Sequence, residues 1–258
     1  MRRGLLALAA LAALPAAAQT GPTAEMVTLR SQALGQDRAI NIYVPPGYAA
    51  GDARYPVLYM VDGGVRQGFA QMTVLVDTAI ARGMIRDLVV VGVEAGNRER
   101  ELTFPGGDGD APGRSAALRR FIGSEVKPWV EAHYRTSGQD ALAGCSLGGL
   151  FVVETLLRAP DLFDDYIAAS PSLWWNNGAL LDDSADLLER LPAGNRRLWL
   201  ALGNEGAPMG VGRLMTVLKR HAPTTLSWSF KSFPTEPHLK VCEKAPAAAI
   251  LALYPRES

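Results

Sequence analysis

Two cysteines, three histidines and no excess of charge of either sign narrow what this 258-residue chain can be. His133, His221 and His238 form no paired cluster, and neither Cys145 nor Cys242 has metal-ligand spacing. Zinc motifs are therefore excluded, and neither a metal nor an organic cofactor is expected. Lysine plus arginine number 26, as do aspartate plus glutamate; setting aside Arg2 and Arg3 leaves 24 against 26. Phosphate binding demands a basic face, so nucleic acid is not an expected partner. No internal repeat, heptad or long charge run is present, and after the N-terminus no apolar run is long enough to span a bilayer.

The chain opens with a processing pattern. Arg2 and Arg3 precede an apolar stretch over residues 4–14, and Pro15 leads into Ala16-Ala17-Ala18. Charge, apolar stretch and small-residue site in that order read as a signal peptide over residues 1–18. A retained anchor is the other reading, and no cysteine follows to take a lipid. The remainder, 19–258, is expected to be one α/β domain outside the cytoplasm, in the periplasm or secreted.

Strand patterns fall at 27–29, 39–44, 55–61, 88–93, 141–143, 166–169, 198–202 and 227–232. Helical patterns fall at 69–82, 115–133, 147–158, 182–191, 208–221 and 243–254. Alternation of the two predicts a mostly parallel central sheet with helices on both faces, and the first two strands, with no helix between them, predict an antiparallel start. A glycine- and charge-rich loop covers 96–114, and no linker divides the chain.

Gly144-Cys145-Ser146-Leu147-Gly148 stands between a strand pattern and a helical one. A serine hydroxyl is a weak nucleophile that needs exposure and an adjacent base. A sharp strand-to-helix turn supplies the exposure, and the N–H of the following residue, Leu147, then faces a developing oxyanion. A glycine-rich helix cap carrying a serine is the plainer alternative.

In such sheets functional groups gather at the carboxyl ends of strands. His133 and His221 stand at helix ends, where a histidine can cap. His238 follows the last strand in a loop and is the candidate general base, because imidazoles titrate near neutrality. Glu205, after Leu200-Ala201-Leu202-Gly203-Asn204, is the candidate acid that orients it; a surface carboxylate with a bare Ser–His dyad is the alternative. Asp62-Gly63-Gly64 follows another strand, and the amides of Gly63 and Gly64 could complete an oxyanion hole or only make a turn. Trp174 and Trp175 follow a further strand at the same rim; one would anchor the core and the other line a substrate pocket. Arg98 and Arg100 could steer an anionic substrate or be solvated charges. If these segments converge, Cys145 and Cys242 meet, and an exported protein would oxidise them to a disulfide; two small buried thiols are the alternative.

Several stretches together resemble a known family: Tyr43-Val44-Pro45-Pro46-Gly47-Tyr48, Tyr55-Pro56-Val57-Leu58-Tyr59-Met60-Val61-Asp62-Gly63, Val90-Val91-Gly92-Val93, Gly144-Cys145-Ser146-Leu147-Gly148-Gly149-Leu150-Phe151 and Ser170-Pro171-Ser172-Leu173-Trp174-Trp175. The resemblance is to the putative-esterase family of α/β-hydrolases, which includes enterobactin-type siderophore esterases and is related to esterase D. The order Ser146, Glu205, His238 is also that of α/β-hydrolases. The resemblance implies hydrolysis of a small-molecule carboxylic ester, with Ser146 as nucleophile and His238 as base; members differ in whether a carboxylate completes the triad. Two positions depart from the pattern: Cys145 stands where relatives usually carry histidine, and Leu239 follows His238 where a small residue is common. Acyl transfer on the same fold, or a silent ligand-binding protein, are the alternatives; a peptidase is less favoured, because no propeller or dedicated specificity domain fits in this length.

Overall fold

The computed structural model describes residues 24–106 and 112–256; the expected signal peptide, residues 1–18, lies outside the described residues. Eight strands form one sheet: β1 (Ala24–Ser31), β2 (Gln36–Tyr43), β3 (Tyr55–Val61), β4 (Val89–Val93), β5 (Thr136–Cys145), β6 (Asp165–Ala169), β7 (Arg196–Leu202) and β8 (Leu226–Ser232). Their order is β1-β2-β4-β3-β5-β6-β7-β8. β1 and β2 pair antiparallel, as do β2 and β4, and all remaining pairs are parallel. The antiparallel start and parallel body agree with the sequence expectation.

Helices α1 (Phe69–Ala81), α2 (Arg98–Glu101), α3 (Ser115–Phe121), α4 (Lys127–His133), α5 (Leu147–Arg158), α6 (Trp175–Glu189), α7 (Val211–His221) and α8 (His238–Leu253) connect the strands. Every residue of β3 is buried, so its alternate side chains serve two separate cores. Val57, Tyr59 and Val61 pack with residues of α3 to α7, and Leu58 and Met60 pack with α1 and α8. α7 shows why an amphipathic segment settles as a helix: Val211, Leu214 and Leu218 form one buried stripe, with Lys219, Arg220 and His221 in the last turn.

Three boundaries differ from the sequence pattern. The segment 115–133 is interrupted by a π-helical turn over Ile122–Val126, where the Lys127 N–H bonds Ile122 O, five residues back. Pro128 lies just beyond; it has no N–H and crowds the preceding turn, which the wider turn relieves. α6 begins at Trp175, but Asn176, Asn177 and Gly178 have positive φ, so regular helix starts only after them. α8 begins five residues before the expected 243, so His238 is the first residue of a helix and not part of a loop. Pro237 caps it in an extended conformation, and proline's fixed φ hides the helix start from a periodicity reading.

Strand order reverses between β3 and β5. β3 is followed in sequence by β4 on one side, and the chain then crosses to β5 on the other. Open α/β sheets bind ligands in the crevice at such a switch point, outside the carboxyl ends of the strands. α2 is tied to this rim by a buried ion pair: Arg38 donates to Glu101 at 2.6 and 2.7 Å and to Glu94 O at 2.6 Å. Burial raises the Glu101 carboxyl, but Arg38 and the Gly96 N–H outweigh it and hold the pKa below the ordinary value. Arg38→Met leaves that carboxylate buried and unpaired, so it is expected to cost about 3–5 kcal/mol in urea unfolding; a midpoint shift within error would show the pair to be dispensable.

Candidate active site

β5 ends at Cys145 and α5 starts at Leu147, leaving Ser146 alone to turn the chain. Its φ is 59° and its ψ −119°, a region that side chains other than glycine rarely occupy. The turn closes only because Gly144 lacks a side chain: a Cβ there would strike the Gly148 backbone. Ser146 N–H bonds Ala169 O at 3.0 Å, and Ser146 O accepts from Leu150 N–H at 2.9 Å and Ser172 N–H at 3.1 Å. The strained residue is thus held from β6, from α5 and from the segment after β6.

Leu147 is the first residue of α5, where no carbonyl four residues back can accept its N–H inside the helix. The amide is oriented, with the positive end of α5 behind it. Of the two sequence readings of Gly63 and Gly64, the hydrogen bonds fit the turn. Gly63 N–H bonds Val93 O at 2.9 Å, and Gly64 N–H bonds Gln67 Oε1 at 3.0 Å. Both amides are engaged because the Gly-Gly turn pairs across to β4 and closes on its own third residue onward.

The imidazole and the carboxylate come from different elements. Glu205 follows β7, and His238 opens α8 after β8. His238 Nδ1 lies 2.6 Å from Glu205 Oε1, which leaves Nε2 as the free ring nitrogen. Gly203 permits this approach, since a Cβ there would meet Glu205 Oε2, Glu236 O and Val241. Burial raises the Glu205 carboxyl; its own backbone amide, His238 and Ser170 more than offset that and hold the pKa below the usual carboxylate value. Ser170 Oγ and Glu205 Oε2 are both buried without a partner in hydrogen-bonding geometry.

Ser146 Oγ is hydrogen-bonded to Ser172 Oγ at 3.3 Å and, among the described residues, not to His238. The two segments are nonetheless joined. Cys145, next to Ser146, and Cys242, one helical turn beyond His238, form a disulfide with their Cα atoms 5.6 Å apart. Triad hydrogen bonds are often long or open without substrate. The bridge closes a loop with a sequence separation of 97. Cys145→Ser with Cys242→Ser is expected to lower stability by about 4–5 kcal/mol and the melting midpoint by roughly 10–15 °C. Scanning calorimetry of wild type with and without reductant checks this, and an equal midpoint in the double variant would count against the bridge.

Ser170 and Ser172 carry contacts that sequence reasoning did not assign. Their signal lies in Ser170-Pro171-Ser172, two hydroxyls directly after a strand at the rim where functional groups gather. Trp175 is 7 % exposed, and its Nε1 donates to Phe104 O at 3.1 Å, so it is a core anchor and not a pocket wall. Trp174 is 50 % exposed beside it. Arg98 donates to Asp62 at 2.7 Å and is not a free cation. The Arg100 Nε is buried without a partner and does not project to solvent.

None of Trp174, Trp175, Arg98 and Arg100 lines the cavity beside the turn. That cavity, about 300 Å³, lies between α1 and α8 and is bounded by Asp62, Gly144, Cys145, Leu239 and Cys242. Among the described residues no group of three or more His, Cys, Asp or Glu could hold a metal, and no helix is long and apolar enough to cross a membrane.

Comparison with known proteins bears on the family and the fold. The family described as Putative esterase matches residues 31–220. The ferri-bacillibactin esterase BesA of Bacillus subtilis is 32% identical over 169 residues, covering 57% of this chain and 58% of that protein. A siderophore enterobactin esterase of Emericella nidulans is 44% identical over 78 residues, covering 29% of this chain and 26% of that protein. The match therefore spans less than two thirds of either relative. Among solved structures, an IroE-like serine hydrolase from Shewanella oneidensis superposes with a TM-score of 0.82 at 26% identity, covering 90% of this chain and 80% of that one. A mostly parallel sheet with its order reversed at β3 and β5, a serine at the turn after β5, and a family match over residues 31–220 lead to one assignment: the chain belongs to the putative-esterase family and has the α/β-hydrolase fold.

Proposed function

We propose that this protein is an exported serine esterase that cleaves carboxylic esters through an acyl-enzyme. The observation that carries the reading is the pairing of His238 Nδ1 with Glu205 at 2.6 Å, on a helix stapled by disulfide to the residue before Ser146. In this reading His238 Nε2 takes the Ser146 proton as Oγ attacks the ester carbonyl. Glu205 holds the ring in the tautomer with hydrogen on Nδ1 and stabilises the imidazolium that forms. The Leu147 amide, at the positive end of α5, stabilises the oxyanion. His238 then returns the proton to the leaving alcohol, and water activated by the same nitrogen releases the acid.

The names of relatives supply substrate candidates. BesA is called a ferri-bacillibactin esterase, and an Xylanibacter ruminicola relative is called an endo-1,4-beta-xylanase/feruloyl esterase. Siderophore esters and short-chain or aromatic esters are therefore the first substrates to try. Export rests on the pattern of residues 1–18, with the remainder folding as one domain in the periplasm or outside the cell.

A fluorophosphonate probe tests the mechanism directly, because it reacts only with an activated serine. The expected result is one label, on Ser146, with loss of p-nitrophenyl acetate hydrolysis in proportion to labelling. No labelling of folded protein would favour a silent binding protein, and products that retain the acyl group on an added alcohol would favour acyl transfer.

A further inference from the structure

We infer that the cavity between α1 and α8 takes the neutral alkyl or acyl chain of the ester, so that the favoured substrates are apolar medium-chain esters. This rests on the esterase reading of the same site and goes beyond it by naming the substrate class.

The cavity lies at the strand-order reversal. Met60 to Asp62 at the end of β3 and Ala143 to Cys145 at the end of β5 form part of its wall. Met72 and Leu75 of α1 and Pro246 of α8 close the sides. The Cys145–Cys242 disulfide stands in the same wall, so the residues before Ser146 and after His238 both touch this space. Cys145, which precedes Ser146, and Leu239, which follows His238, line the cavity, whereas Ser146, Leu147 and His238 stand outside its lining, so a chain bound there would reach the hydroxyl past the Cys145 end. At about 300 Å³ it is at the lower end of small-molecule pockets.

The lining chemistry selects the occupant. No lysine, arginine or histidine is among the lining residues. The two carboxylates at the rim are already engaged, Asp62 with Arg98 at 2.7 Å and Glu243 with Lys240 at 2.7 Å. An anionic ligand would find no cation to pair with. Thioethers and aliphatic groups dominate the interior, and methionine adapts its shape to a flexible chain. Leu239, adjacent to His238, stands at the rim 73 % exposed. It is a large apolar side chain held in water beside the proposed base, and a bound chain would cover it.

Two measurements on the full-length protein test the inference. The first is independent of turnover: fluorescence titration with a dansylated n-octylamine, a neutral probe. Wild type is expected to bind it. Leu75→Trp, which fills the cavity, and Leu239→Glu, which charges the rim at an exposed position that folding tolerates, are each expected to weaken binding at least tenfold. The second is kcat/KM for p-nitrophenyl esters from acetate to octanoate, expected to rise about fourfold per buried methylene and to flatten in Leu75→Trp. No binding by wild type, or binding by both variants as tight as by wild type, overturns the inference. Esters cleaved at a rate independent of chain length also overturn it while leaving the esterase reading intact. Probe binding as expected with no ester cleaved supports the cavity assignment and defeats the esterase reading instead.

Discussion

Ser146→Ala is expected to lower kcat for p-nitrophenyl acetate by roughly 10⁴- to 10⁶-fold, the loss that follows removal of a serine nucleophile. The size of the effect comes from the absence of a substitute. Ser172 Oγ is 3.3 Å from Ser146 Oγ, but Ser172 is buried, and its amide is spent on Ser146 O. Nor does the φ of 59° at position 146 change with alanine. Stability should therefore stay within about 0.5 kcal/mol of wild type, as expected for a change that removes no core contact. Ser146→Gly gives a contrast: glycine tolerates positive φ and is expected to be more stable by about 1 kcal/mol and equally inactive. Steady-state rates and thermal midpoints on the three proteins check both expectations. Retained activity in either variant would remove the nucleophile assignment.

Glu205→Gln is expected to reduce kcat/KM by about 10²- to 10⁴-fold with the fold intact. The amide fills the same space but cannot stabilise an imidazolium, and it can present N–H to Nδ1, which favours the wrong tautomer. Glu205 is held ionised against burial by its backbone amide, His238 and Ser170. Its folded pKa lies below the unfolded value, so the stability it contributes is complete above the ordinary carboxylate range and is lost as pH falls through the depressed folded value. The stability gap between wild type and Glu205→Gln should therefore narrow on acidification, as measured by denaturant unfolding at stepped pH. A gap independent of pH would mean that the carboxylate is not engaged, and a Ser–His dyad would then replace the triad. Arg38–Glu101 responds to pH in the same direction, since burial of Glu101 is likewise outweighed by its arginine. A comparison at fixed pH should be made well above both transitions.

The predicted strands at 55–61, 166–169 and 198–202 lie within or match β3, β6 and β7 because buried parallel strands are continuous apolar runs. The turn at Ser146 was readable because chemistry and backbone geometry both require glycine on its flanks. Helix starts were less legible. His238 reads as loop after Thr235-Glu236-Pro237, yet it opens α8, since proline at a cap carries no periodic signal. The engaged amides of Gly63 and Gly64 could not be foreseen either. Their acceptors, Val93 O and Gln67 Oε1, are supplied by a neighbouring strand and by a rotamer. The same holds for Trp174 and Trp175, where local composition cannot say which ring Phe104 O will receive.

The sequence alone determined the alternation of strand and helix and the family, and it nominated the three side chains proposed for acyl transfer, because periodicity and residue type are local properties of the chain. Only the tertiary structure decided which hydrogen-bonding groups are already satisfied, that Cys145 meets Cys242 across 97 residues, and that an apolar cavity opens beside them. Those outcomes depend on competition among partners distant along the chain, which is settled when the sheet and its two helical layers pack together.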